Sequence, residues 1–157
     1  MADKKKKPHY VNNKEFLQAM VEWKAKCREA EKAGKPQPPI TNYIGECFLK
    51  IANHLSYRPN FINYTYRDEM ISDGIENCLQ DVHNFNPDKS NNPFAYYTAA
   101  VTNSFVRIIN IEKRNQNIRD DILEMNDMMP SMTRQTQDTK PPAKKPVQKK
   151  FAKKKKK

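Results

Sequence analysis

The chain has 157 residues and a formal net charge of +11, which is enough length for one domain with tails but not for two ordinary domains. The charge lies at the ends, because residues 1–7 carry +3 and residues 140–157 carry +10, leaving −2 for residues 8–139. This distribution argues against a uniformly basic DNA-coating protein, and the lack of an apolar run of about 18 residues predicts a soluble, cytoplasmic protein without a membrane span.

Two amphipathic helices are predicted in the first third of the chain. After a loose basic leader of residues 1–11, Asn12 or Asn13 can cap a helix that runs to about Ala33 and stops at a glycine and a proline-rich linker. The second helix has the clearest pattern, since apolar side chains recur every three or four residues across residues 40–55.

A third helix is predicted from about Arg67, with Asp68 and Glu69 in its first turn, where acidic groups complement the helix dipole. Its predicted buried side consists of Met70, Ile71, Ile75, Cys78, Leu79 and Val82. The polar stretch NPDKSNNP then breaks the helix.

A fourth helix is predicted after this break, capped by Asn91 or Asn92, with Pro93 at the first helical position. Its predicted buried positions, spaced by three or four residues, are Phe94, Tyr97, Val101, Phe105 and Ile108, and it continues to about Arg114. Beyond it, residues 117–129 could form a last short acidic helix.

These elements predict an all-α protein with a small helical bundle and disordered basic tails. The predicted boundaries are a basic leader at 1–11, a helical domain at 12–126 and a disordered Lys/Pro-rich tail at 127–157.

The sequence contains no recognisable catalytic motif. Three glycines are too few for a Gly-rich phosphate loop, and no nucleophile or metal motif is present, so we expect a binding protein without enzymatic activity, cofactor or metal. Cys27, Cys47 and Cys78 are expected to be buried reduced thiols. Asp120 and Asp121 are expected to be solvated surface carboxylates, because adjacent residues point to different sides of a helix.

Two candidate surfaces remain. The first is a face of the third helix with exposed positions at helical spacing: Glu69, Ser72, Asp73, Glu76 and Gln80. Composition alone leaves two interpretations open, a solvated helix face or, beside Leu79, a docking surface for a basic protein.

The second candidate surface is the loop before the fourth helix and the start of that helix. It comprises Lys89, Phe94, Tyr96, Tyr97, Thr98, Asn103 and Arg107. Aromatic faces stack on unpaired bases while Arg or Lys holds the backbone. Phe94 and Tyr97 share a helix face, so a role in the core remains an alternative for both, whereas Tyr96 points elsewhere.

Residues 69–105 read EMISDGIENCLQDVHNFNPDKSNNPFAYYTAAVTNSF, and this block resembles the second conserved region of sigma-70-type transcription initiation factors. The family pattern is a helix of the type D-L-I-Q-E-G, an apolar stretch ending in K-F-D, a short basic loop and F-S-T-Y-A-T-W-W. Together with YVNNKEFLQAMVEWK at 10–24, the short length makes the late-transcription sigma factors of T-even-type phages the closest resemblance. It covers residues 10–114.

The resemblance implies a sigma region 2-like core and a function in initiating transcription of phage late genes in an infected bacterial cell. In the family, the helix before the loop docks on the largest subunits of the RNA polymerase core, which implies contacts by Glu69, Ser72, Asp73 and Leu79, on the same face as Glu76. The aromatics after the loop stabilise the melted −10 element of the promoter DNA, and Phe94 and Tyr97 match those positions.

Two departures from the family pattern affect these expectations. Ala100 and Val101 replace the tryptophan pair that opens the duplex, which favours an A·T-rich promoter element that melts easily. The chain also has no candidate helix-turn-helix for a −35 element. Phage late sigma factors receive help from a sliding clamp and a co-activator, and here residues 122–129, Phe151 or the lysine tail could take the clamp-linked part. The alternative function is a basic nucleic-acid-binding accessory protein on a passive helical bundle.

Overall fold

The computed structural model describes residues 9–138, which contain five α-helices and no strand. The helices are α1 (Asn13–Lys32), α2 (Asn42–Ser56), α3 (Arg67–Asp81), α4 (Pro93–Met125) and α5 (Met132–Asp138). The predicted all-α class and the small helical bundle are confirmed. Residues 1–8 and 139–157, which include most of the predicted basic tails, lie outside the described residues. In the described part of the chain, no helix has both the length and the apolar character needed to cross a membrane.

The chain divides into two compact units, one up to Glu112 and one from Lys113 onward. The boundary falls within the span of α4, whereas the sequence predicted a single helical domain over residues 12–126.

In the first unit, the helix starts follow the local sequence. The Asn12 side chain accepts a hydrogen bond from the Lys14 backbone N–H at 3.1 Å, and the Thr41 hydroxyl accepts one from the Ile44 N–H at 3.4 Å. Each cap satisfies a backbone donor that has no partner within the helix. Gly34 follows α1 with a φ of +63°, a left-handed conformation that glycine adopts without a steric penalty.

The core of the first unit is rich in aromatic side chains contributed by α1, α2, α4 and the loop after α3. Tyr97 of α4 is fully buried, and its ring centroid lies 4.6 Å from that of Phe48, 5.6 Å from that of Phe16 and 5.8 Å from that of Phe85. Phe105 extends this core about two turns after Tyr97 along α4, and its ring meets that of Phe61 edge-on at a centroid distance of 5.2 Å. Large interlocking rings therefore hold α1, α2, the first half of α4 and the loop after α3 together.

The prediction that all three cysteines are buried reduced thiols is confirmed for two of them. Cys47 and Cys78 are buried free thiols, and burial raises the pKa of Cys78 to about 12, so this group stays protonated at neutral pH. Cys27 is a free thiol that is only half-buried.

The predicted end of the fourth helix is wrong. The helix continues past Arg114 to Met125, so residues 117–125 belong to α4 instead of forming a separate short helix. No glycine or proline occurs between Phe94 and Met129, and nothing in the backbone therefore requires a stop where the apolar repeat fades.

In the second unit, Asp120 links the end of α4 to the segment that starts α5. Its carboxylate accepts hydrogen bonds from the Ser131 backbone N–H at 2.9 Å and from the Ser131 hydroxyl at 2.8 Å. The Ser131 backbone N–H is the main reason why the pKa of Asp120 is lowered. The prediction that Asp120 is a solvated carboxylate is therefore wrong, whereas Asp121 is exposed, as predicted.

Arg134 of α5 makes a further polar connection in the second unit. Its guanidinium lies 2.6 Å from an Asp121 oxygen and 3.1 Å from a Glu124 oxygen. The chain turns between the helices at Asp127, which has a φ of 55°. Residues 132–138 are thus helical, although the sequence placed them in the disordered tail.

Candidate functional site

The outward face of α3 carries the predicted protein-docking residues. Glu69, Ser72, Glu76 and Gln80 are exposed, as predicted, and the Gln80 side chain donates a hydrogen bond to Glu76 at 3.2 Å. The Ser72 hydroxyl donates to the Asp68 carbonyl oxygen at 3.0 Å. The face therefore presents two carboxylates, Glu69 and Glu76, about two helical turns apart.

Leu79 lies on this exposed face and not in the core. Its side chain is 43% exposed, so its inclusion among the buried positions of the third helix is wrong. The same residue was also expected beside the acidic docking surface, and its exposure agrees with that placement.

Asp73 differs from the other residues predicted on this face. Its side chain is 19% exposed and accepts hydrogen bonds from the Ser104 hydroxyl and from the Arg107 guanidinium, the latter at 2.5 Å. Ser104 is buried. The prediction that Asp73 is an exposed position is therefore wrong, because the group connects α3 to α4 within the fold. Its part in docking stays a prediction.

Gly74 allows α4 to approach α3 closely beside this polar connection. A Cβ atom at this position would lie 3.0 Å from Val101 Cγ1 and 3.1 Å from Phe105 Cε1. The backbone of α3 thus packs directly on two buried side chains of α4, so the α3 face and the start of α4 are parts of one rigid framework.

The start of α4 is positioned by two asparagine side chains. Asn92 accepts a hydrogen bond from the Ala95 N–H at 3.0 Å, and Asn13 at the start of α1 accepts one from the Phe94 N–H at 3.1 Å. Lys89 is exposed in the loop that precedes α4. The first turn of α4 is therefore held by a local cap and by a contact from a distant helix.

The three aromatic residues of this turn divide into two groups. Tyr97 is 0% exposed and lies among core rings, and burial raises the pKa of its hydroxyl far above the ordinary value. Its predicted stacking on a base conflicts with this position, and the alternative that it is a core residue is confirmed. Phe94 and Tyr96 are half-buried, so part of each ring remains at the surface.

The remaining predicted DNA-binding residues lie farther along α4. Thr98 is half-buried, and its hydroxyl donates to the Phe94 carbonyl oxygen at 2.7 Å, while Asn103 is exposed. Arg107 is exposed but paired with Asp73. The structure thus joins Asp73 and Arg107, which were predicted to serve two different partners.

Sequence reasoning missed the residues that surround Phe94. The rings of His9 and Tyr10 meet Phe94 edge-on, with centroid distances of 4.7 Å and 5.7 Å, and Tyr10 stacks on His54 at 3.7 Å. These residues come from the leader, α2 and α4. The only sequence signals for this cluster are the aromatic residues at the end of the leader and the two histidines. Neither signal predicts that residues more than 40 positions apart come into contact.

The site also lacks a grouping suited to a metal. Within residues 9–138, no three His, Cys, Asp or Glu side chains are placed so that they could share a metal ion.

Comparison with known proteins adds no assignment. No protein-family model matches the chain, and no curated protein matches it with significant similarity.

Proposed function

We propose that this protein is an RNA polymerase sigma factor for phage late genes, which binds the bacterial polymerase core and directs it to promoters with an A·T-rich −10-like element. The observation that carries the proposal is the arrangement along α3 and α4 of an exposed acidic face containing Leu79, then a polar loop, then a helix start with partly exposed aromatics. The same order of features occurs in the sigma-70-type pattern that residues 69–105 resemble.

The polymerase contact is assigned to Glu69, Ser72, Glu76 and Leu79. Two exposed carboxylates favour a basic partner surface, and the exposed Leu79, three residues after Glu76, offers an apolar anchor. Asp73 acts indirectly in this proposal, because its interactions with Ser104 and Arg107 hold the α3 face in place.

The promoter contact is assigned to the first turns of α4 and the preceding loop. Phe94 and Tyr96 have ring surface available for a base that leaves the duplex. Lys89, in the loop before α4, and Asn103, two turns after Tyr96, are exposed as well. Replacing lost base stacking with aromatic stacking contributes roughly 1–3 kcal/mol per base. Tyr97 supports these groups from the core.

The sliding clamp and the late co-activator remain proposed partners. In the second unit, the acidic segment of residues 122–129 exposes several apolar side chains, including Ile122, Met125, Met128 and Met129. An exposed segment that combines acidic and apolar groups has the composition proposed for the clamp contact. Phe151 and the lysine tail lie outside the described residues.

A pulldown of bacterial core polymerase by the full chain tests the proposed function. The informative variant is the double charge reversal Glu69→Lys/Glu76→Lys, which should reduce core capture strongly, because both exposed carboxylates would face a basic partner surface. Glu29→Lys/Glu31→Lys on α1 is the matched control, since these two glutamates are also exposed. Equal capture by both double variants would contradict the assigned face, and no capture by the wild-type chain would contradict the function.

The alternative function is an accessory protein that binds nucleic acid through its basic tails, and deletion of residues 130–157 distinguishes it from a sigma factor. If the protein is such an accessory protein, the deletion should abolish nucleic-acid binding. A sigma factor without these residues should still bind core polymerase and select the same promoter, with a weaker dependence of DNA affinity on salt.

A further inference from the structure

The surface beside the start of α4 contains a column of rings. His9 stacks with Tyr10 at a centroid distance of 4.6 Å and an interplanar angle of 22°, and Tyr10 stacks with His54 at 3.7 Å and 17°. Phe94 borders the column edge-on. His9 and His54 are exposed and Tyr10 is half-buried, so the column is at the surface and is not part of the core.

Two clefts adjoin this column. The larger has a volume of about 430 Å³ and is lined by His9, Val11, Asn12, Asn13, Asn92 and Phe94. The smaller, of about 130 Å³, is lined by Tyr10, Ile51, His54, Leu55, Arg58 and Thr98. The larger volume lies within the range of roughly 300–1,000 Å³ that is typical of sites for small organic groups.

The electrostatic character of the clefts limits the occupant. Neither cleft has an aspartate or glutamate among its described lining residues, whereas Arg58 contributes a permanent positive charge to the smaller one. In the sequence, Lys4–Lys7 directly precede this region. A flat aromatic group that carries negative charge fits this combination of rings and cations.

The walls of the larger cleft also offer hydrogen-bonding groups in fixed positions. Asn12 and Asn92 use their side-chain oxygens to cap α1 and α4, and Asn13 joins the two helix starts through Phe94. Capping leaves the amide nitrogens of Asn12 and Asn92 as donors without a partner among residues 9–138. Such donors suit the acceptor edge of a nucleobase.

We propose that His9, Tyr10, His54 and Phe94 form a stacking site for an unpaired base of single-stranded DNA, with Arg58 at the backbone phosphate. The site rests on the proposed function and extends the promoter contact from α4 to the leader and α2. It adds ring surface from the leader and α2 to that of Phe94, whereas Tyr97 of the same α4 turn is buried in the core.

The test uses the full chain and a short single-stranded oligodeoxynucleotide that contains 2-aminopurine, whose fluorescence decreases when the base stacks on an aromatic ring. This readout separates stacking from general attraction of the lysine-rich tail to phosphates. His54→Ala should weaken the stacking signal at least about fivefold, in line with the loss of one stacked base contact. His83→Ala is the matched control, because His83 is also an exposed histidine but lies beside Trp23.

Two further variants and a second control sharpen the test. His54→Phe keeps a ring next to Tyr10 and should restore most of the signal. Arg58→Ala should weaken binding and its salt dependence, whereas Arg28→Ala, which removes an exposed arginine paired with Asp88, should have little effect. Equal stacking signals for His54→Ala and His83→Ala would overturn the site, and tighter His54-dependent binding to the matching RNA would overturn the assignment to DNA.

Failure of this inference is distinguishable from failure of the proposed function. Capture of core polymerase depends on the α3 face and should be unchanged by His54→Ala. Normal core capture with no His54-dependent stacking would reject the ring site alone, and absence of core capture would reject the sigma-factor function itself.

Discussion

The first unit, up to Glu112, encloses a core of aromatic rings, whereas the described helices of the second unit, from Lys113, are connected by polar side chains. Tyr97 in the first unit is surrounded by four other rings within 6 Å. In the second unit, Asp120 and Arg134 make the connecting contacts, while Ile118, Ile122 and Met125 remain exposed. Stability should therefore depend on buried volume in the first unit and on charge in the second.

This difference separates the proposed functions. A rigid aromatic core suits surfaces that must hold their geometry, such as the α3 face and the ring column. A small unit with exposed methionines and a few polar contacts suits a segment that gains its packing from a partner. The substitutions below should affect the units unequally.

Tyr97→Ala should have the largest effect, a loss of about 3–5 kcal/mol in the free energy of unfolding, because it leaves a cavity among core rings. Urea unfolding followed by the fluorescence of Trp23, the single tryptophan, measures this effect in the first unit. Tyr97→Phe is the control and should cost little, since the hydroxyl only approaches the Met20 sulfur, at 4.0 Å. Similar midpoints for the two variants would contradict the role of Tyr97 as a core ring.

Gly74→Ala should have the next largest effect, a destabilisation of about 1–3 kcal/mol, because the added methyl crowds Val101 and Phe105. Gly45→Ala is a matched substitution inside α2, where the new Cβ would meet only Ile40 Cδ1, at 3.9 Å. That change should stabilise the protein by about 0.5–1 kcal/mol through helix propensity. Thermal unfolding of both variants checks the opposite signs, and the same sign in both would show that α3 and α4 are packed less closely.

Asp73→Asn should lower stability by about 1 kcal/mol, since it keeps an acceptor for Ser104 but removes the charge that faces Arg107. Glu76→Gln, at an exposed position of the same helix, should change stability by less than about 0.5 kcal/mol. Chemical unfolding of the two variants provides the comparison. If Asp73→Asn were as neutral as Glu76→Gln, the connection between α3 and α4 would be unimportant.

Asp120→Asn should have the smallest effect on the first unit and a local effect on the second. The pKa of Asp120 is lowered below its ordinary 3.8, so its contribution to stability is present at neutral pH and is lost as the pH falls through the lowered value. NMR of the Ser131 amide should show one titration below about pH 4 in the wild type and none in Asp120→Asn. The Trp23-detected unfolding at pH 7 should be unchanged in the variant, and a large shift there would contradict a purely local role for Asp120 in the second unit.

The sequence predicts the helices well where an apolar repeat and a stop signal occur together. The caps at Asn12 and Asn92 and the start of α3 at Arg67 are confirmed for that reason. The end of α4 was not predictable from the apolar repeat, because exposed helices are continued by backbone propensity. The absence of glycine and proline up to Met129 was the available signal.

The candidate site was less predictable than the fold. Helical spacing places Asp73 on the same exposed face as Glu69 and Glu76, but its partners Ser104 and Arg107 lie more than 30 residues farther along and on another helix. Similarly, Leu79 fits the apolar repeat of α3 and yet remains exposed, whereas Cys78 and Val82 on either side of it in sequence are buried. Such contacts depend on how helices pack, which local periodicity does not specify.

The most direct test of the central claim is the affinity of the full chain for bacterial core RNA polymerase, compared between Leu79→Ala and Leu49→Ala. Both leucines are exposed helix residues, at 43% and 47%, so neither substitution should disturb the core. The proposed function predicts that Leu79→Ala binds core polymerase about tenfold more weakly than the wild type, as expected for an apolar anchor, while Leu49→Ala binds as the wild type does. Equal affinities for the two variants, or no binding by the wild-type chain, would contradict it.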